Sequence, residues 1–372
     1  MNSLADDPSV VQRIFEHIDN KTTDIGETGW REPVENYRSE PRFTLELKRA
    51  LRQTPTPFCP SAALPEAGSY VARTAAGVPL VAVRGKDGKA RVFRNACRHR
   101  GMQLADGAGC KRAFVCPYHA WTYDLSGKLQ RVPHQDGFPG LDKSTRGLVP
   151  VDTVEMHGLV FVTQDGPGPA ASAYDELRGL VTPAQRVVAT SEQDVAANWK
   201  IVAEGFLEGY HLQALHPDTF YPIQFDNLNV IERFGRNSRV TFPYRRIDSL
   251  REVPAEERSA DGVLTYVYHL FPNVMLVTFS KNTTMIVLEP VAVDRTRLVN
   301  YTLTHPSKAA DQEALDRDLR FIYAGTVQDR EAANAIQRSL ASDANEFFEF
   351  GLFESPIVHF HRTLDALIDE QG

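Results

Sequence analysis

No run of roughly 18 apolar residues occurs in this chain of 372 residues, so nothing in it reads as a membrane-spanning helix. An excess of basic residues is missing as well. The 41 Lys and Arg stand against 48 Asp and Glu, a net charge of −7. Binding a phosphate backbone needs clustered cations, so nucleic acid is not an expected partner. The opening residues, Met1 to Asp7, are polar and acidic and lack the basic and apolar regions of a signal peptide. The expectation is a cytoplasmic protein. Cysteine is scarce: Cys59, Cys97, Cys110 and Cys116 are all there is. In a reducing compartment such residues serve as metal ligands or buried thiols more often than as disulfides. No internal repeat and no low-complexity tract interrupts the chain, whose length suits two ordinary domains.

What is present divides by pattern. Residues 9–20 have apolar spacing near 3.6 and read as a helix. A second helix opens at Ser39, with Pro41 in its first turn, and runs to about Arg52. Residues 53–66, rich in Pro, Ala and Thr, read as a connector. From Ser69 to about Val162 short β-prone runs alternate with Gly, Asp, Lys and Ser, the mark of a small all-β domain. GPGPAA at 166–171 reads as a linker. Beyond it, 197–215 reads as a helix and 227–305 as a long antiparallel sheet. Residues 250–262 form a charged, exposed loop, and 309–341 and 355–369 are helical. The fold class expected is α+β. Its divisions are an N-terminal helical segment 1–52 packed on the last domain, a β domain 53–165, and a mixed domain 166–372.

Two constellations carry chemistry. The first is Cys97-x-His99, sixteen residues, then Cys116-x-x-His119. Side chains three apart on a strand point to opposite faces, so Cys116 and His119 converge only if the chain turns. Pro117 suits that turn, and Gly101, Gly107 and Gly109 give the first pair loop backbone. Two thiolates and two imidazoles make a four-ligand site. A structural zinc ion takes such a set, usually with paired Cys and paired His motifs. Here each motif holds one Cys and one His, which suits a [2Fe–2S] cluster with sulfur on one iron and imidazole on the other. Cys59 and Cys110 read as free thiols.

The second is NWKIVAEGFLEGYHLQALHP at 198–217. At about 100° per residue, Glu204, Glu208 and His211 fall within a narrow arc of one helix face. His216 would sit roughly 140° away from His211 on a straight helix. It joins the site only if the helix ends first, and Pro217 disfavours helical backbone at residue 216. Two histidines and a carboxylate form the facial triad of non-haem Fe(II) oxygenases, with positions open for dioxygen.

These segments resemble the aromatic-ring-hydroxylating (Rieske-type) oxygenase family, alpha subunit. The resembling motifs are Cys-x-His-Arg-Gly with Cys-Pro-Tyr-His-x-Trp-x-Tyr-Asp-x-x-Gly at 94–129, and Asn-Trp-Lys with Glu-x₃-(Asp/Glu)-x-Tyr-His-x₄-His at 198–217. Ala120 departs from the family's usual Gly; being small, it is expected to do little harm. The resemblance implies a Rieske [2Fe–2S] domain plus a StAR-related-like helix-grip catalytic domain, with a curved antiparallel sheet wrapped around the 309–341 helix. It implies one cluster on Cys97, His99, Cys116 and His119, and one mononuclear Fe(II) on His211, His216 and a distant acid. Asp329 matches that acid, Glu331 is the fallback, and Asp311, Asp316 and Asp318 match less well. It also implies a homotrimer in which Glu208 bridges His211 to a neighbouring chain's His119. Electrons would come from NAD(P)H through a flavin/iron–sulfur reductase or ferredoxin.

The expected activity is O₂-dependent hydroxylation, by mono- or dioxygenation, of a small organic substrate. Two substrate classes stand open: an aromatic ring or aromatic acid, and an N-methyl or quaternary amine carbon. Glu208 is longer than the Asp that most members carry there, which resembles the carnitine and betaine subset. Tyr210, Phe220, Tyr221, Tyr268, Phe271 and Phe279 are candidate pocket rings, though core packing accounts for most of them. Arg233 and Arg245 are candidate partners for a substrate carboxylate. The alternative function is a Rieske-type electron carrier with a non-catalytic ligand-binding domain.

Overall fold

The computed structural model describes residues 4–170, 174–309 and 312–369, and the chain divides into two compact units. Residues 51–186 form one unit; 4–50 join 187–369 in the other. Residues 166–170 and 174–186 therefore group with the β unit rather than opening the second.

The β unit is built on a seven-stranded sheet of order Thr56–Pro60, Leu159–Thr163, Pro150–Met156, Ala90–Arg94, Val78–Arg84, Ser69–Ala75, Gly107–Cys110. Its neighbours pair antiparallel. A three-stranded sheet, Phe114–Val115, Thr122–Tyr123 and Leu129–Arg131, carries the second metal loop. The run read as a connector, 53–66, contains the buried edge strand Thr56–Pro60. Pro57 and Pro60 hide it from a periodicity reading, and an edge is where a sheet tolerates Pro. Between the sheets lies an apolar core of Tyr70, Val81, Phe93, Leu104, Phe114 and Trp121, with Cys97 and Cys116 inside it.

The second unit has a seven-stranded sheet of order Arg186–Val195, Arg295–Thr304, Thr283–Ala292, Val274–Thr278, Leu264–Leu270, Asn237–Pro243, Ile231–Phe234. From Ile231–Phe234 to Arg295–Thr304 every pair is antiparallel. Arg186–Val195 escapes a sequence reading because its polar side chains are mostly exposed and do not alternate. The helix Trp199–Gly205 lies against the strand Thr283–Ala292 and the long helix Gln312–Ser339.

Within this unit the N-terminal segment is tied down at both ends. The helix Asp7–Asn20 is capped by Asp6, whose carboxylate accepts from Ser9 N–H, and closed by Lys21 in the left-handed region. Ser39 caps Glu40–Leu45 by accepting from Arg42 N–H, with Pro41 in the first turn; the helix then widens into a π-type turn, Glu46–Leu51. Arg42 pairs with Asp365 on the closing helix Ser355–Asp369 at 2.5 Å. The charged run 250–262 is short 3₁₀ turns and loop, mostly exposed.

Candidate metal centres

The first centre is one turn used twice. Cys97 N–H donates to Met102 O at 2.8 Å while Gly101 N–H donates back to Cys97 O at 2.9 Å. Cys116 N–H donates to Trp121 O at 2.8 Å while Ala120 N–H donates back to Cys116 O at 2.9 Å. The fifth residue of each turn lies in the left-handed region, Gly101 at φ 78° and Ala120 at φ 54°. What Gly supplies at position 120 in the family is therefore backbone freedom rather than small size. Asn95 holds the first loop from beneath, accepting from Leu104 N–H and donating to Ala105 O.

Each turn sends its cysteine inward and its histidine outward. Cys97 and Cys116 are buried, whereas His99 is half-buried and His119 is exposed. The His99 and His119 rings lie 4.7 Å apart; His99 stacks on Trp121 at 5.0 Å, and the exposed Tyr118 covers His119 at 3.8 Å. Burial raises the Cys97 thiol, against the pull of a bond from Tyr123. Tyr123 Oη accepts from Arg98 N–H at 2.9 Å, which leaves its proton for Cys97 Sγ at 3.3 Å. A single ion needs all four donors at one point. A different set of His and Asp donor atoms, all within 4.8 Å of one another, lies elsewhere among the described residues. Sulfur inside and imidazole outside fits a two-iron cluster better than zinc.

That other set is His211, His216 and Asp329. The sequence reading put Glu204, Glu208 and His211 on one helix face. Instead, helix Trp199–Gly205 ends before Glu208, and the short helix Leu212–Leu215 begins after His211. His211 and His216 cap that short helix at its two ends, His216 at φ −117°, ψ 42°, the non-helical backbone that Pro217 demands. Their rings stand 5.2 Å apart. Asp329, from the long helix, brings Oδ1 to 2.9 Å from His216 Nε2 and 3.7 Å from His211 Nε2. Glu331 is exposed and stands outside this set; two residues along a helix it projects roughly 200° away. Asp316 accepts from Gln312 instead. Asp311 lies outside the described residues, as does the side chain of Asp318.

Both imidazoles have their other nitrogen occupied. His216 Nδ1–H donates to Gln328 Oε1 at 2.9 Å, and Thr219 donates to the same oxygen at 2.7 Å. His211 Nδ1 is bonded to the Glu208 carboxylate, which also accepts from the N–H groups of Tyr210 and His211. Burial works against charging His211, but Glu208 and then Asp329 outweigh it and raise its pKa. Such partners fix the tautomer that leaves both Nε2 atoms to a metal. Gln328 and Thr219 escaped the sequence reading because polar residues at those positions carry no motif; Phe220, a candidate pocket ring, packs 4.7 Å from His216 instead. Phe220 reaches His216 because Gly325 has no side chain; a Cβ there would strike its ring.

A cavity of about 750 Å³ opens on His211 and Asp329. Its rings are Phe206, Tyr323, Phe348 and Phe350, none of them among the six proposed from sequence. Tyr268 and Phe271 are sheet core, and Tyr210 is exposed against Phe353. Arg233 lines a separate polar groove, and Arg245 lies over Tyr221 and Phe225; Arg320 and Arg330 are the cavity's cations. Glu204, Glu208 and Glu354 line it too, and burial, with the charges of Glu208 and Glu204, raises the Glu354 carboxyl.

A small sheet unit with a two-Cys, two-His loop pair, joined in one chain to a helix-and-sheet unit with a two-His, one-carboxylate set, defines the class of Rieske non-haem iron oxygenases. Residues 183–370 match the ring hydroxylating alpha subunit (catalytic domain) family and 54–151 the Rieske [2Fe-2S] domain, so this chain belongs to the ring-hydroxylating oxygenase alpha subunits. It is similar to the carnitine monooxygenase oxygenase subunit of Escherichia coli K12, 28% identical with 90% of this chain and 93% of that one covered. The glycine betaine monooxygenase oxygenase subunit of Chromohalobacter salexigens is 27% identical, covering 86% and 82%. The structure of the quaternary ammonium Rieske monooxygenase CntA with L-carnitine shares the fold, with TM-score 0.78, 21% identity, and 99% and 100% of the chains covered. The chain is the terminal oxygenase component of an O₂-dependent Rieske system; the electron-carrier alternative falls with the match of a catalytic domain. No helix among the described residues is long and apolar enough to cross a membrane.

Proposed function

We propose that this oxygenase acts on a small quaternary ammonium compound that also carries a carboxylate. The observation that carries the reading is the cavity lining. Glu204, Glu208 and Glu354 share it with the rings of Phe206, Phe348 and Phe350, and Arg320 and Arg330 share the same walls. Carboxylates and aromatic faces suit a cation, and a guanidinium suits the carboxylate of a zwitterion. The names of the two relatives above point the same way. An aromatic ring is the second reading, favoured by the apolar part of the lining, Ile201, Val202, Leu215 and Leu298.

His211, His216 and Asp329 would hold the mononuclear iron, and Cys97, His99, Cys116 and His119 the cluster. Iron bound at the first set supplies open coordination positions for dioxygen, and the cluster supplies single electrons. The chain's own residues do the rest. Gln328 and Glu208 hold the two imidazoles in register, and Asp329 closes the third position. Glu208, bonded to His211 and at the cavity wall, is placed to accept a second imidazole. In a homotrimer that would be His119 of the partner subunit, which suits the exposure of His119. NAD(P)H electrons would arrive through a flavin or iron–sulfur reductase. A cytoplasmic setting suits Cys59 and Cys110, which stand as free thiols.

The test is turnover by the metal-loaded protein with a surrogate reductase, offering carnitine, glycine betaine and a panel of aromatic acids. The expected result is substrate-dependent O₂ uptake with the zwitterions, and loss of that preference in Arg330→Leu. Turnover of aromatic acids alone would overturn the substrate assignment.

A further inference from the structure

Behind the cavity wall lies a line of buried ionisable groups that the iron set does not use. Glu204 Oε1 accepts from Tyr37 Oη at 2.6 Å and faces His361 Nε2 at 2.8 Å. On the other side of that ring, His361 Nδ1 stands 3.4 Å from Glu32 Oε2 and has no closer polar partner. Glu32 in turn accepts from Trp30 Nε1 at 2.8 Å and Asn36 Nδ2 at 2.7 Å. Tyr37, His361 and Glu32 are all 0% exposed; Glu204 is 8% exposed and lines the cavity. The line therefore has one mouth, and it opens into the cavity that His211 and Asp329 also line.

A structural role alone accounts poorly for this arrangement. The neighbouring Lys200 and Glu46 show what buried ion pairing looks like here: bonds of 2.8 and 2.9 Å between opposite charges, with Trp199 Nε1 on the same carboxylate. Glu204, His361 and Glu32 are different, two carboxyl groups flanking one imidazole. An imidazole so placed passes a proton between them by taking it at one nitrogen and releasing it from the other. Burial holds the Tyr37 hydroxyl well above the usual phenol range, so Tyr37 stays a donor that fixes Glu204.

The reaction needs protons. Inserting one oxygen atom of O₂ into a C–H bond and reducing the other to water consumes two electrons and two protons. The electrons come with the family's activity; the protons need a donor at the cavity. We propose that Glu204 is that donor, and that His361 and Glu32 are the buried store that recharges it. The Glu204 carboxyl gives the first proton to oxygen in the cavity. It is recharged once, taking a proton from His361 Nε2 while His361 Nδ1 takes one from Glu32, and then gives this second proton. No covalent bond other than O–H and N–H forms or breaks. The store refills through Glu204 from cavity water between turnovers. His361 and Glu32 act through Glu204 and so are positioning residues. The proposal rests on reading the cavity as the oxygenase site.

Two measurements test it. In the full chain labelled with ¹⁵N-histidine, exchange of the His361 ring proton with solvent should slow at least about tenfold in Glu204→Gln, which closes the mouth. Unchanged exchange would overturn the single-mouth store, whatever the substrate. In turnover with glycine betaine and with an aromatic acid, His361→Asn should keep both metals and the wild-type KM. Its kcat should fall on the order of 10², the usual yield of proton transfer, with a larger solvent deuterium isotope effect. Glu32→Gln, which keeps the size of the side chain and one of the two acceptor oxygens, should shift kcat and the isotope effect the same way if His361→Asn fails to fold. Variants matching wild type in both readouts would sink the relay. A wild-type protein inert to every substrate would instead sink the functional reading, and the exchange experiment would still judge the store.

Discussion

Replacing Tyr123 by Phe should lower the reduction potential of the cluster that Cys97 and Cys116 would hold. The hydroxyl is fully buried, and its oxygen already accepts from Arg98 N–H, so its proton is committed to Cys97 Sγ at 3.3 Å. A hydrogen bond to a charged acceptor is worth about 1.5–3 kcal/mol. The sulfur is more negative when the cluster has gained an electron, so the bond is stronger in the reduced state. A difference of about 1.5 kcal/mol between the two states, half the upper figure, equals about 65 mV for a one-electron couple. Water cannot substitute for the lost donor, because the site lies inside the core of Phe93, Phe114 and Leu125.

The assay is a redox titration of the purified protein, followed by the visible spectrum of the cluster. The control is Tyr70→Phe, in the same core but without a bond to either cysteine. The expected outcome is a drop of tens of millivolts in Tyr123→Phe and little change in the control, with full cluster content in both. A potential unchanged by Tyr123→Phe would refute the reasoning, since it would mean that the hydroxyl does not discriminate between oxidation states. A Tyr123→Phe protein that loses its cluster would show instead that the bond to Arg98 N–H holds the loop, and Arg98→Ala, which keeps that N–H, would then leave the potential unmoved.

Three further outcomes follow from the geometry. His211→Ala should lose the mononuclear iron yet keep the visible colour of the cluster, leaving about two irons per chain by metal analysis; normal turnover by this variant would dismiss the site. Ala120→Gly should stabilise the β unit by about 0.5–1 kcal/mol in urea melts, because a left-handed Ala costs roughly 1–2 kcal/mol and the freer unfolded Gly gives part of that back; a destabilised variant would contradict it. Burial, opposed by a bond to Pro272 O and aided by His359, holds His269 at about 4. The unfolded chain therefore takes up a proton between pH 6.5 and 4 that the native state refuses. Stability is full above pH 6.5 and falls by about 3 kcal/mol as the pH drops to 4, and His269→Gln should flatten that slope; parallel slopes would rule it out.

Much of the two centres was legible because their ligands are set by local chain chemistry. Cys97, His99, Cys116 and His119 sit in turns marked by Gly101 and Pro117, and His216 reaches the iron set because Pro217 ends the short helix. Asp329 was named through family resemblance rather than spacing, since 113 residues separate it from His216 and only the folded sheet brings them together. What the sequence concealed is of another kind. The strand Thr56–Pro60 hides behind two prolines, and the break after Gly205 turned an apparent single helix face into two separate roles. Glu208 went to His211, while Glu204 went to Tyr37 and His361, partners 167 and 157 residues away. The four cavity rings come from three different segments, of which Phe348 and Phe350 lie on a short strand paired with Trp30–Pro33. Periodicity locates a side chain on its own element, but a wall shared by distant elements exists only once they pack. The candidate metal ligands were therefore readable and the cavity lining was not: His211 and His216 share one short stretch of chain, whereas the cavity rings come from three.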